Sequence, residues 1–357
     1  MEHLETGRRA ILAGLGATIL GLPCAARANG ATARETIVTC WQDFKTRFVS
    51  SEGRVIDTGN GGISHSEGQG WGMLFAEAAG DKESFDQIYT WTSVHLARPN
   101  DALHIWKYNP NAANPTADIN NATDGDIFIT WALARAAQRW GQSSFYSAAA
   151  AISGDILNKL CVIRNGQVFL LPGVSGFKTT KSLTLNPSYY IFPAFDALAM
   201  LSPSVTWNQL RLDGLELLRS AQFGRWGLPP DWLSVSGPGL WMEPAAAWPP
   251  RFSFNAIRVP LWLTWAGIMP KVIARNFKTY WQSPVFPYHP AWVNLENGSY
   301  ANFPAPSGME AIADLTLASD GNAAPVFPAM SEAPDYYSAA LTLLSWMAAA
   351  HLDILGS

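Results

Sequence analysis

The sequence predicts an all-α fold, a toroid of helical hairpins set around a centre. Apolar residues recur at helical spacing through most of the 357 residues. Strand signals are few and short, with VFLLP at 168–172 the clearest. Unusual polar residues stand at the start of every second helix through much of the chain. If alternate helices form an inner ring, those starts converge on one rim and build a cleft. The periodicity places helices at about 35–49, 67–79, 83–97, 125–140, 143–160, 187–201, 206–221, 254–267, 271–283, 309–318 and 335–354.

The N-terminal segment precedes this pattern. Arg8 and Arg9 come before the apolar run AILAGLGATILGL, and Ala26-Arg27-Ala28 has the small-residue form of a cleavage site. The run falls short of the roughly 20 apolar residues that a membrane span needs. Residues 1–28 are therefore expected to be a signal peptide, through the general or the twin-arginine route. Residues 29–357 are expected to form one domain, located in the periplasm or secreted. No repeat, charge block or low-complexity run divides them. Removing the leader changes the formal charge from −4 to −5, because Glu2 and Glu5 leave with Arg8, Arg9 and Arg27. An acidic chain without a basic patch is a poor nucleic-acid binder. Cys40 and Cys161 remain, either as a disulfide pair or as two free thiols. No Cys/His spacing suggests zinc, and no phosphate-cradling loop appears. Sixteen Trp, 10 Tyr and 17 Phe against 15% charged residues lean toward carbohydrate handling, since flat rings stack on the apolar faces of sugars.

The polar helix starts come in order. SHSEGQGWGM (64–73) puts Glu67 among glycines at the head of an apolar run. Thr123-Asp124-Gly125-Asp126 opens the next but one helix. Asn186-Pro187-Ser188-Tyr189-Tyr190, then Ser253 to Arg258, then Pro334 to Tyr337 open three more. Local capping explains part of this. Ser64-x-x-Glu67 and Thr123-x-x-Asp126 match a capping box, and Asp335 can cap its own helix. Capping leaves Asp124 unexplained, and it leaves Gly68, Gly70 and Gly72 unexplained, since each glycine costs a helix roughly 1 kcal/mol. The expectation is that these glycines let a ligand approach the backbone beside Glu67.

Together SEGQGWGM, NATDGD followed by a helix ending in Trp140, NPSYY, RFSFNAIRVP and APDYYSAAL closely resemble glycoside hydrolase family 8, in order and over nearly all of residues 29–357. Within it the chain looks most like the exported endoglucanases associated with bacterial cellulose synthesis. The resemblance implies an (α/α)6 barrel with a cleft over the inner-helix N-termini. It also implies inverting hydrolysis of internal β-1,4-glucosidic bonds in cellulose and cello-oligosaccharides. By resemblance Glu67 is the general acid, and Asp124 holds and distorts the sugar at the cleavage point. Trp106, Tyr189, Arg258 and Tyr336 match sugar-contacting or water-positioning groups. A functional association with the cellulose synthase machinery follows from the same likeness, while the shortness of the apolar run predicts no stable membrane insertion. No metal or organic cofactor is implied, because two carboxyls and a water carry inverting hydrolysis.

One position departs from the pattern. Where relatives of this type carry the aspartate that takes a proton from the attacking water, this chain has Asn255. An amide oxygen accepts hydrogen bonds but does not bind a proton at useful pH. Several readings follow: a catalytically impaired glucan-binding protein, an enzyme whose base is Asp124 or Asp231, a change in an otherwise active lineage, or a helix cap at 255.

Overall fold

The computed structural model describes residues 22–319 and 324–354, with side chains described from Ala33 onward. The expected leader lies largely outside the described residues; its last seven residues, 22–28, open the first helix. Eleven α-helices run through the described chain. They are α1 (Leu22–Phe48), α2 (Ser66–Ala79), α3 (Lys82–His95), α4 (Thr123–Trp140), α5 (Ser143–Asp155), α6 (Phe192–Leu201), α7 (Val205–Ser220), α8 (Arg258–Trp265), α9 (Lys271–Trp281), α10 (Ser307–Ala318) and α11 (Tyr336–Leu352). None is long and apolar enough to cross a membrane.

Six of these helices close a ring. α2 packs on α4, α4 on α6, α6 on α8, α8 on α10, α10 on α11, and α11 back on α2. The others lean on the outside: α1 against α11 and α2, α3 against α2, α5 against α4 and α6, α7 against α6, and α9 against α10. This is the (α/α)6 architecture. The two layers differ as their sequences require. Outer helix α3 buries a single stripe, Ser84, Phe85, Ile88, Trp91 and Thr92, while inner helix α11 is buried on nearly all sides.

The glycines of α2 serve this ring. A Cβ at Gly70 would lie 2.6 Å from Phe128 Cβ and 2.9 Å from the Ile129 nitrogen, both on α4. From the other side, a Cβ at Gly125 would lie 2.6 Å from the Glu67 nitrogen. Gly68 abuts the Tyr336 hydroxyl, and Gly72 abuts Val55 and Ile88. The expectation that these glycines make room for a ligand is therefore corrected. They are buried, and they let α4, Tyr336 and the wall behind α2 come close. Their propensity cost of roughly 1 kcal/mol each is offset by close helix–helix packing.

Among the described residues nine short strands pair antiparallel around the barrel: β1 (Ser64–His65), β2 (Lys107–Tyr108), β3 (Cys161–Arg164), β4 (Gln167–Leu170), β5 (Ser182–Leu185), β6 (Leu233–Ser236), β7 (Trp241–Pro244), β8 (Arg251–Phe252) and β9 (Val293–Asn294). β5, β6 and β7 form the one three-stranded sheet among the described residues, with Leu185 opposite Leu233 and Leu233 opposite Pro244. Two predicted helices start later than the periodicity suggests. Over 187–201, Pro187–Tyr189 is a 3₁₀ turn and α6 begins only at Phe192. Over 254–267, residues 254–257 form a turn and α8 begins at Arg258. Cys40 and Cys161 are both free thiols, Cys40 buried and Cys161 half-buried.

Candidate active site

The starts of α2, α4 and α8, with the turn before α6, meet at one rim. They surround a cavity of about 140 Å³ lined by His65, Ser66, Glu67, Trp106, Ala122, Asp124, Tyr189, Asn255 and Arg258. Six of the seven residues singled out in the sequence line it. The seventh, Tyr336, does not. Its ring is buried among Phe44, Phe48, His65 and Trp71, and Trp71 stacks on it at 5.9 Å. Tyr336 thus supports the floor from beneath instead of facing the cavity.

Neither expected capping box forms. Ser64 Oγ donates to the Val55 carbonyl, and the cap of α2 is His65, whose Nδ1 accepts from the Gly68 N–H at 3.1 Å. An accepting Nδ1 leaves the ring proton on Nε2, which faces Asp57 Oδ2 at 3.2 Å. Both nitrogens of His65 are therefore engaged, and neither is free to act as a base. At α4, Thr123 Oγ1 donates to the Leu171 carbonyl, and Asp126 accepts from His104 and from Asn121 Nδ2. Asp335 does cap α11, accepting from the Ser338 N–H at 2.8 Å.

Arg258 ties the site together. It is 3% exposed, and its Nη2 donates to Ser188 Oγ and to Asn255 Oδ1, each at 3.0 Å. Its Nη1 makes an ion pair with Glu67 and lies 3.6 Å from Asp124 Oδ2. Because one guanidinium nitrogen reaches both acids, Glu67 and Asp124 stand side by side. An inverting pair needs about 6.5–9.5 Å between its carboxyls to admit a water. Asp124 is therefore placed beside Glu67 and not across a water from it, an arrangement that does not fit a base working opposite Glu67.

The environment of Asp124 fits a positioning role. It is buried, accepts from the Gly125 N–H at 2.8 Å, and is hydrogen-bonded by the Tyr189 hydroxyl. Burial pushes its carboxyl up to about 7. Burial and the neighbouring Asp124 push the Tyr189 phenol well above its usual range, so Tyr189 keeps its proton and donates a hydrogen bond to Asp124.

Asp231 does not fit the base either, for a different reason. Its Oδ1 accepts the N–H groups of Ser253, Asn255 and Ala256 at 3.1, 3.1 and 2.8 Å, and its Oδ2 accepts from Ser253 Oγ. Burial pushes its carboxyl up while these four donors pull it down. It does not line the cavity. Its role is to hold 253–256 as a turn, which explains why α8 starts only at Arg258.

Asn255 itself faces the cavity. Its Oδ1 accepts from Arg258 Nη2 at 3.0 Å and from Asn186 Nδ2 at 3.1 Å. Arg258 has only donors, and the Asn186 Oδ1 already accepts from Ser188, so the orientation of the Asn255 amide is forced. Two donors converge where a carboxylate oxygen would be welcome, and an amide oxygen occupies the place.

Sequence reasoning missed several members of the site. His65 was legible as the residue before Ser66-Glu67, but nothing local marks it as a cap. Asn186 and Ser188 lie within NPSYY, yet their partners are about 70 residues away. Tyr337, beside Tyr336, donates its hydroxyl to the Phe254 carbonyl and so fastens the rim. The Trp106 Nε1 donates to Asp118 at 2.7 Å, and Lys107 Nζ lies 4.6 Å over the Trp106 ring, so this tryptophan is fixed at the cavity edge.

The comparisons with known proteins point the same way. The family described as "Glycosyl hydrolases family 8" matches residues 19–351. A "probable endoglucanase" of Novacetimonas hansenii is 41% identical over 323 residues, 90% of this chain and 93% of that one. An endoglucanase of Cellulomonas uda is 42% identical over 279 residues, 78% of this chain and 77% of that one. Among solved structures, the endo-beta-1,4-glucanase CMCax from Acetobacter xylinum aligns with a TM-score of 0.85 at 40% identity, over 90% of this chain and 100% of that one.

Proposed function

The chain belongs to family 8 of the glycosyl hydrolases, and we propose that it is an endo-β-1,4-glucanase acting with inversion on cellulose and cello-oligosaccharides. The observation that carries this is the convergence of Glu67, Asp124 and Arg258 on one cavity, in a chain about 40% identical to endoglucanases over most of its length. In this reading Glu67 gives its proton to the leaving glycosidic oxygen. Asp124, kept in place by Tyr189 and Arg258, holds the hydroxyls of the sugar at the cleavage point. Trp106 stacks at the cavity edge. On the far side Asn255 can hold the attacking water by a hydrogen bond but cannot take its proton, so that proton passes to solvent water and turnover is slow. The leader-like N-terminus, with Arg8 and Arg9 before an apolar run, supports a periplasmic or secreted protein, and work beside a cellulose synthase is part of the same proposal.

Asn255 favours a second reading, a glucan-binding protein of the same fold with impaired hydrolysis. Among the residues lining the cavity the only carboxylates are Glu67 and Asp124, and they stand side by side. One set of assays separates the two readings: release of reducing ends from carboxymethylcellulose by wild type, Glu67→Gln and Asn255→Asp. A wild-type rate that falls in Glu67→Gln supports hydrolysis at this site. Equal background rates in both, with cello-oligosaccharide binding retained and activity appearing in Asn255→Asp, support the binding protein. An active wild type whose rate is unmoved by Glu67→Gln sinks both.

A further inference from the structure

Of the 16 tryptophans, Trp241 alone is largely exposed, at 68%. It opens β7 beside the tight turn 237–240, and its ring is not loose. A Cβ at Gly237 would lie 3.0 Å from Trp241 Cε3, and one at Gly239 would lie 2.8 Å from Trp241 Nε1. The indole therefore rests on the glycine backbone, where any side chain would lift it off. Its exposed area marks a surface turned to solvent.

The ground around the ring is also built. Three loop tips meet there and are tied together. Asn165 Nδ2 donates to the Pro238 carbonyl at 2.7 Å, Arg164 Nη2 donates to the Thr180 carbonyl at 2.9 Å, and the Gly237 N–H faces the Lys181 carbonyl at 3.5 Å. They enclose an open depression of about 450 Å³. Arg164 Nη1, in the same group, is buried without a hydrogen-bond partner among the described residues. A flat apolar ring is thus bordered by Arg164, Asn165, Thr180, Lys181 and Ser236.

We propose that Trp241 and this rim form a second glucan-binding site, separate from the catalytic cavity, that holds a passing β-1,4-glucan chain. The inference rests on the reading of the chain as a β-glucan-active protein. The chemistry matches that ligand. A β-glucosyl ring offers apolar C–H faces to an indole and equatorial hydroxyls to donors at its edge. None of these residues lines the catalytic cavity. Ser182, Ser236 and Trp241 pair at one end of the three-stranded sheet, while Leu185, at the other end, leads directly into Asn186. Three residue steps along β5 put about 10 Å between those ends. A site so placed can be reached by a long chain that runs past the cavity.

The test compares wild type, Trp241→Ala, Trp241→Tyr and Trp106→Ala. Retention is measured by electrophoresis through gels containing hydroxyethylcellulose, a neutral polymer, and cellotetraose affinity by calorimetry. Trp241→Ala is expected to weaken polymer retention at least about threefold while leaving cellotetraose affinity unchanged. Trp241→Tyr keeps most of the retention, which a purely structural role for the indole would not predict. Trp106→Ala weakens cellotetraose binding. If Trp241→Ala is retained like wild type while Trp106→Ala is not, the second site is wrong and the cavity reading stands. An equal loss of polymer and cellotetraose binding in Trp241→Ala assigns the residue to the cavity and overturns the proposal. A wild type that binds neither ligand overturns this inference and the parent reading together.

Discussion

The start of α2 and the start of α8 face the same cavity and use a carboxylate in opposite ways. At α2 the cap is His65, so Glu67 is left free of capping duty and points at Arg258. At α8 the nearby carboxylate, Asp231, is consumed by three backbone N–H groups and a serine, and the residue facing the cavity is an amide. The difference teaches that an acid near a site is not a base by proximity. It needs an unengaged lone pair on the side where the water sits.

The largest expected effect tests the α8 side directly. Asn255→Asp should raise turnover on carboxymethylcellulose by about 10²–10⁴, the usual worth of a positioned general base. The new carboxylate would inherit the two donors from Arg258 and Asn186, so the change requires no repacking. Adding Glu67→Gln to that variant should remove a comparable factor. If the double variant stays as fast as Asn255→Asp alone, the two helix starts do not work as a pair.

Gly125→Ala probes the α2 side through packing. Its methyl would press on Ser66 and on the Glu67 nitrogen, so a loss of about 3 kcal/mol is expected in denaturant unfolding. An unchanged midpoint would mean that α2 and α4 need not approach so closely. Asp231→Asn should cost about 2 kcal/mol, because an amide has one accepting oxygen for donors that now share two. It should also loosen the 253–256 turn, visible as faster hydrogen exchange there. If exchange is unaffected, Asp231 is not what holds the turn.

The smallest effect is in pH dependence. The folded protein holds the Asp124 carboxyl up to about 7, above its ordinary value of 3.8. Between roughly pH 4 and 7 the folded state keeps a proton that the unfolded chain has already lost. This group's contribution to stability is therefore full at low pH and declines as pH rises through that window. The Tm of wild type should fall relative to that of Asp124→Asn as pH goes from 4 to 7. Parallel Tm curves would show that the Asp124 carboxyl titrates near its ordinary value.

Much of the barrel was legible because helical periodicity is local. A stripe such as Phe85, Ile88 and Trp91 declares one buried face within a few turns. The two helices that start later than expected, α6 and α8, have their starts set by partners remote in sequence. The 253–256 turn depends on Asp231, and the 3₁₀ turn before α6 is capped by Asn186 and bonded through Ser188 to Arg258. The glycines of SEGQGWGM show the same limit. Their number is plain in the sequence, but whether they admit a ligand or a neighbouring helix depends on where Phe128 and Tyr336 lie.

By itself the sequence determined the helical order, the five polar helix starts and the presence of an amide at position 255. These follow from residue types and their spacing along one chain. Only the tertiary structure decided which groups are free to react. It spent Asp231 on a turn, placed Asp124 beside Glu67 instead of opposite it, and sank Tyr336 beneath the floor. The physical reason is that a side chain's reactivity depends on its lone pairs, its burial and its distances to partners. Those are set by residues tens to hundreds of positions away.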